Sequence, residues 1–222
     1  MDRHHSVHSR TGGQGATGAG HRRVSVVGAV VLAAGLARRM GQPKVLLEWH
    51  SGSTILDHVL EQLRQVEIVI VVTGHEADKV NAITTRHDVT TVHNPDYATG
   101  EMLSSLKVGL RALPENVTAV LVVLGDQPRI EPEIIRRVIQ TYAEGKAGIV
   151  APSYQMRRGH PILIDRRYWS EILALPADGA PRDVINAHAD DIAYVVVDTD
   201  SVLGDVDTPE DYQSERRKAG LA

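Results

Sequence analysis

Three stretches of this chain contain almost no polar residue. They are Val24–Ala34 (VSVVGAVVLAA), Ile68–Thr73 (IVIVVT) and Ala119–Leu124 (AVLVVL). They are short and rich in β-branched residues, so they read as strands covered on both faces rather than as helices. Segments with apolar residues at helical spacing lie between and after them: Ile55–Val66, Glu76–Arg86, Gly100–Leu113 and Glu131–Glu144. Weaker strand signals follow at Val89–His93, Gly148–Ala151, Pro161–Ile164 and Asp191–Val197. Further helices are expected at Asp165–Leu175 and Pro209–Arg217. This alternation predicts a single α/β domain over residues 24–222, with a mainly parallel twisted sheet and helices on both faces, Rossmann-like. Polar loops leave the strand ends at Gly35–Lys44, Thr73–His75 and Gly125–Arg129, where such sheets bind ligands.

Composition narrows the function classes. The chain has no Cys, which excludes disulfides, thiolate catalysis and Cys-based zinc sites. A formal charge of -4 leaves no broad basic footprint, so nucleic acid is not an expected partner. No apolar run reaches the roughly 20 residues of a membrane helix, so no membrane partner is expected. Residues 1–23 have no apolar stretch of secretory type, and the cytoplasm is the expected compartment. The Gly-rich Thr11–Gly20 cannot bury enough surface to offset its ordering entropy, so 1–23 is expected to be a disordered tail.

The first strand runs directly into Leu32-Ala33-Ala34-Gly35-Leu36-Ala37-Arg38-Arg39-Met40-Gly41-Gln42-Pro43-Lys44. Small residues let the backbone approach a ligand, so that successive N–H groups can hold phosphate oxygens. Arg39 and Lys44 would add charge that neutralises a polyphosphate. The loop is neither a dinucleotide fingerprint, since Ala37 stands at the second glycine, nor a P-loop, since Lys44 is flanked by Pro and Val.

The pattern A-A-G-x-x-x-R-M-G-x-x-K resembles the signature of the molybdopterin nucleotidyltransferases, and within them the cytidylyltransferase branch. The resemblance runs from Val26 to Tyr212. It continues through Asn94-Pro95 with Gly100–Ser105, Gly125-Asp126-Gln127-Pro128, Gly159-His160-Pro161 and Gly204-Asp205-Val206-Asp207-Thr208-Pro209. Ala37 departs from the family, which usually has Ser there. The resemblance implies transfer of a nucleoside monophosphate from CTP or another nucleoside triphosphate to a phosphorylated small molecule, with molybdopterin as the acceptor. It also implies Mg²⁺, which needs oxygen ligands. Asp126, just past a buried strand, and Asp207, with Asp205 second, are the expected ligands. Because Asp205 and Asp207 alternate about Val206, an extended backbone would set both on one face. Helix capping by Thr208 or Asp207 ahead of Pro209 is an equally physical use of that segment.

By the same resemblance, Leu32, Ala33, Ala34, Gly35, Arg39, Lys44, Gly74, Asn94, Gly100, Ser104 and Ser105 surround the nucleotide. The catalytic residues are Arg39, Lys44 and Asp126. The Ala34 methyl, where the guanylyl branch has Gly, would narrow the base pocket toward a pyrimidine. Gly159, His160 and Pro161, after Arg157-Arg158, would receive the acceptor phosphate. Two other readings stay open: transfer to a sugar or polyol phosphate, and a non-catalytic nucleotide-binding regulator.

Overall fold

A computed structural model describes residues 25–36, 40–99 and 101–221. The expected tail at 1–23, and Val24, Ala37, Arg39 and Gly100, lie outside the described residues. The chain forms β1 (Val27–Leu32), a 3₁₀ turn at Lys44–Leu46, β2 (Glu48–His50), β3 (Ser53–Thr54), α1 (Ile55–Gln62) and β4 (Ile68–Thr73). Next come α2 (Ala77–Thr84), β5 (Thr90–His93), α3 (Glu101–Ala112), β6 (Ala119–Leu124) and α4 (Pro132–Ala143). The last third contains β7 (Ile149–Tyr154), β8 (Arg157–Arg158), β9 (Ile162–Asp165), α5 (Trp169–Ala174), α6 (Pro181–Ala187), β10 (Ile192–Val196), a 3₁₀ turn at Asp200–Leu203 and α7 (Pro209–Lys218).

The main sheet has the order β10-β7-β9-β6-β1-β4-β5, with β8 attached to β7. β1 lies in its middle, parallel to both β4 and β6. Successive residues of β1 feed opposite faces. Ala29 and Val31 join a core that includes Trp49 and Leu121, whereas Val30 joins one that includes Leu106 and Trp169. Each fully buried valine of such a strand contributes about 1.5–3 kcal/mol of transfer free energy, which is why the three apolar runs dominate the fold.

The sheet is mixed, because β9 runs antiparallel to β6 and β7. The segment between β7 and β9 is too short for a parallel crossover, which needs a dozen or more residues. The helix expected over 165–175 divides into a 3₁₀ turn at Arg166–Tyr168 and then α5. Asp165 caps the turn by accepting the Arg167 N–H at 2.9 Å. The helix expected over 55–66 ends at Gln62, although Leu63 and Val66 remain buried.

Candidate active site

From β1 the chain passes to β4 and β5 on one side, then crosses back to β6 on the other. The crossing direction therefore reverses at the β1–β6 boundary, and a crevice opens at the carboxyl ends of these strands. Backbone bonds fix its floor. Gly125 N–H donates to Leu32 C=O at 3.0 Å, and Ala33 N–H donates to Val72 C=O at 3.0 Å. Glycine is required at two neighbouring points. A Cβ on Gly125 would lie 2.8 Å from the Leu32 oxygen, and one on Gly74 would lie 2.7 Å from the Ala34 oxygen.

The crevice is a cleft of about 720 Å³. Lys44, Asp126, Asp205 and Asp207 line it, together with Ala34, Gly35 and Ser105. Lys44 opens its 3₁₀ turn after Pro43, while the adjacent Val45 is buried in the core. The Lys44 ammonium donates to Asp126 Oδ2 at 2.9 Å and to Asp207 Oδ1 at 2.5 Å. Burial disfavours its charge, but the nearby Asp126 carboxylate and the hydrogen bonds to Asp207 and Asp126 outweigh this. The Lys44 pKa is raised. Desolvation first, and then the nearby Asp126 and Asp207 carboxylates, raise the Asp205 pKa.

Local structure explains this convergence. Val206 is fully buried, so its neighbours Asp205 and Asp207 project away from the core. Val206 N–H donates to Asp126 C=O at 3.1 Å, tying the two acidic segments together. Thr208 caps α7: its hydroxyl accepts the Asp211 N–H at 3.1 Å, and Asp211 accepts the Thr208 N–H at 2.9 Å. Asp207 is therefore not the cap, and its carboxylate faces Lys44.

The other expected site residues are spread over several layers. Leu32, Ala34, Gly35 and Ser105 line the cleft. Ala33 turns into the opposite core and is buried. Gly74 sits behind Ala34 and Tyr97. Asn94 is fully buried, and its amide donates to Ser104 at 2.8 Å and Ser105 at 3.0 Å. It therefore orients the two serines from behind rather than facing the cleft. Gly159, His160 and Pro161 are not among the residues lining the cleft. They pack on the 3₁₀ turn before the acidic segment, where His160 N–H donates to Val202 C=O at 2.9 Å. Burial, with Arg158 nearby, lowers the His160 pKa to about 4, so this imidazole is neutral at physiological pH. Tyr97 and Leu124 also line the cleft but carry no motif. An aromatic residue in the polar loop after Asn94-Pro95 is the one signal that could have found Tyr97.

Solved structures share this fold. Rv0371c from Mycobacterium tuberculosis H37Rv superposes with a TM-score of 0.75 at 28% identity, covering 87% of this chain and 98% of the other. A second structure of that protein, TM-score 0.71, is a complex with manganese. A nucleotidyl transferase from Methanothermobacter thermautotroptrophicus gives a TM-score of 0.73 at 25% identity, covering 87% of this chain and 97% of the other. The fold and the acidic, lysine-bearing cleft define an enzyme of the nucleotidyltransferase class. Residues 29–192 match the MobA-like NTP transferase domain, and the chain belongs to that family, the molybdopterin nucleotidyltransferases. The molybdenum cofactor cytidylyltransferase of Escherichia coli K12 is 27% identical over 190 residues, 85% of this chain and 95% of the relative.

Proposed function

We propose that this enzyme transfers CMP from CTP to the phosphate of molybdopterin and releases pyrophosphate. The observation that supports this reading best is the meeting of Asp126 and Asp207, from distant segments, on one ammonium group at the switch point of the sheet. Three carboxylates with hard oxygen donors fit Mg²⁺, and the Lys44 ammonium already shows that a positive charge is stable among them. Asp126 and Asp207 would hold the ion, with Asp205 as a further ligand. When bound, the ion neutralises charge building on the polyphosphate. The manganese complex of the mycobacterial relative supports a divalent cation in this fold.

Gly35 and the residues around it present backbone N–H groups to phosphate oxygens, and Lys44 supplies charge beside them. Ser105, held by Asn94, offers its hydroxyl to the nucleoside. Arg39 and Gly100 complete the proposed nucleotide set, while the Gly159–Pro161 loop, packed on the 3₁₀ turn outside the cleft, is not assigned the acceptor. An oxygen of the acceptor phosphate, already ionised at neutral pH, forms a bond to the α-phosphorus. The bond from that phosphorus to the β-phosphate oxygen breaks, and pyrophosphate leaves. No protein nucleophile or base is needed, so catalysis is positioning plus charge stabilisation.

The test is pyrophosphate release with Mg²⁺, each common nucleoside triphosphate, and molybdopterin beside sugar and polyol phosphates. Release with CTP and molybdopterin is expected. Equal turnover of CTP and GTP would remove the role given to the Ala34 methyl. Asp126→Ala is expected to lose at least about 100-fold in rate with an unchanged circular dichroism spectrum. Full activity in that variant would displace Asp126 from the cation site.

A further inference from the structure

A second group of metal-ligating side chains lies away from the acidic cleft. His50 on β2, and His58 and Glu61 on α1, bring one donor atom each to within 4.8 Å of one another. Sequence spacing alone did not mark them, because His50 approaches only through the β2–β3 hairpin. Ser51 and Gly52 turn that hairpin with φ of 45° and 79°, and the strand then leads directly into α1. His58 and Glu61 are three residues apart on the helix and so share a face. The His50 and His58 rings meet edge to face at 5.5 Å between centroids. Both line a cavity of about 460 Å³, walled on its other side by Pro128–Pro132 of the loop that carries Asp126. This cavity and the acidic cleft share no lining residue.

We propose that His50, His58 and Glu61 form a binding site for Zn²⁺, distinct from the oxygen-only cation site of the cleft. Two imidazoles and a carboxylate are a common zinc donor set with a position left for water, whereas Mg²⁺ avoids nitrogen. Donors around tetrahedral zinc sit about 3.3 Å apart given bonds of about 2.0–2.1 Å, so small side-chain rotations close the triad from its present spacing. Little opposes those rotations. Among the described residues, Glu61 has only a loose ion pair with the exposed Arg64 at 3.7 Å. The only hydrogen-bond partner of His58 Nε2 among the described residues is Gln62, at the 3.5 Å limit, and its Nδ1 is buried without a partner among them. Burial, and then His50, hold the His58 pKa below its usual value against the opposite pull of Glu61. Of the cations near the cavity, Arg129 and Lys218 are both paired with Asp200 and Glu215. A bound ion would fasten the β2–β3 hairpin to α1.

The experiment titrates the full chain with Zn²⁺ against a chromophoric chelator, with excess Mg²⁺ present to occupy the acidic cleft. Wild type is compared with His50→Ala, His58→Ala and Glu61→Gln. His4, His5, His8 and His21 near the start can bind zinc too, and all three variants retain them. Each variant is expected to lose one zinc equivalent, or to bind it at least about tenfold more weakly. Each should also lose the zinc-dependent rise in thermal midpoint. X-ray absorption at the zinc edge should show two imidazoles and an oxygen ligand in wild type. If His58→Ala fails to fold, His50→Ala and Glu61→Gln decide. Equal stoichiometry and affinity in wild type and both of these would overturn the proposal and assign any bound zinc to the other histidines.

Discussion

Lys44 is the cleft's resident counter-charge. With Asp126 and Asp207 on either side, its ammonium holds together two carboxylates that would otherwise repel. Because its pKa is raised, the stability it lends is complete below the unfolded lysine value near 10.4 and is lost only as pH rises through the higher folded value. Lys44→Met should therefore destabilise the metal-free protein at neutral pH. The pair is partly exposed, so the expected loss is about 1 kcal/mol. Added Mg²⁺ should raise the melting temperature of the variant more than that of wild type, since the cation would replace the missing ammonium. Equal increments in scanning fluorimetry would show that Lys44 and the metal do not share a place. The acidic partners were legible because Asp126 and Asp207 each follow a recognisable motif. Their pairing with Lys44 was not, because no local pattern records which distant side chains meet.

Helix α1 shows the same contrast one level up. Thr54 and Asp57 form a capping box, with Thr54 N–H donating to Asp57 at 2.9 Å and Asp57 N–H donating to Thr54 Oγ1 at 3.2 Å. Asp57 has a second task that no local pattern records: Arg86 donates to both of its oxygens at 2.9 Å, and His87 Nε2 lies 3.1 Å away, tying α1 to the end of α2. Burial pushes the Asp57 carboxyl up, but the Thr54 N–H, His87 and Arg86 outweigh it and hold the pKa low. A depressed carboxylate stabilises above the unfolded value near 3.9 and loses that contribution as pH falls through the folded value. Asp57→Asn should cost about 2–3 kcal/mol at neutral pH, with a smaller deficit at about pH 3. Urea denaturation at both pH values measures it. The elements that escaped sequence reading are those set by tertiary pairing. The β2–β3 hairpin is too short for a periodic signal. α6 starts at Pro181 behind a Pro- and Gly-bearing stretch that reads as loop. The direction of β9 depends on connection length rather than on side-chain pattern.

Across the molecule, Arg129 links the loop after β6 to the last helix. Its Nε donates to Glu215 at 2.5 Å and its Nη2 to Asp200 at 2.6 Å, while Lys218 donates to both of these acids. Glu215 is buried, so removing Arg129 leaves its carboxylate with Lys218 alone. Arg129→Met should lower stability by about 2 kcal/mol, less than the loss of a buried carboxylate's sole partner would cost. Arg129→Lys should recover less than half, because an ammonium cannot reproduce the guanidinium fork. Chemical denaturation of both variants checks this. The apolar runs made the mainly parallel sheet readable in advance, since they need cover on both faces. The Arg129 network lies on the outer side of that frame, where charged residues have many options.

The single main-chain link between Val206 and Asp126 means that the gap separating the acidic claws is set by peptide geometry. Neighbouring side chains can drift in identity without widening it, because any residue except proline supplies the same amide. The enzyme can therefore alter the walls of its crevice, and with them its choice of reactants, while its electrostatic centre stays in register.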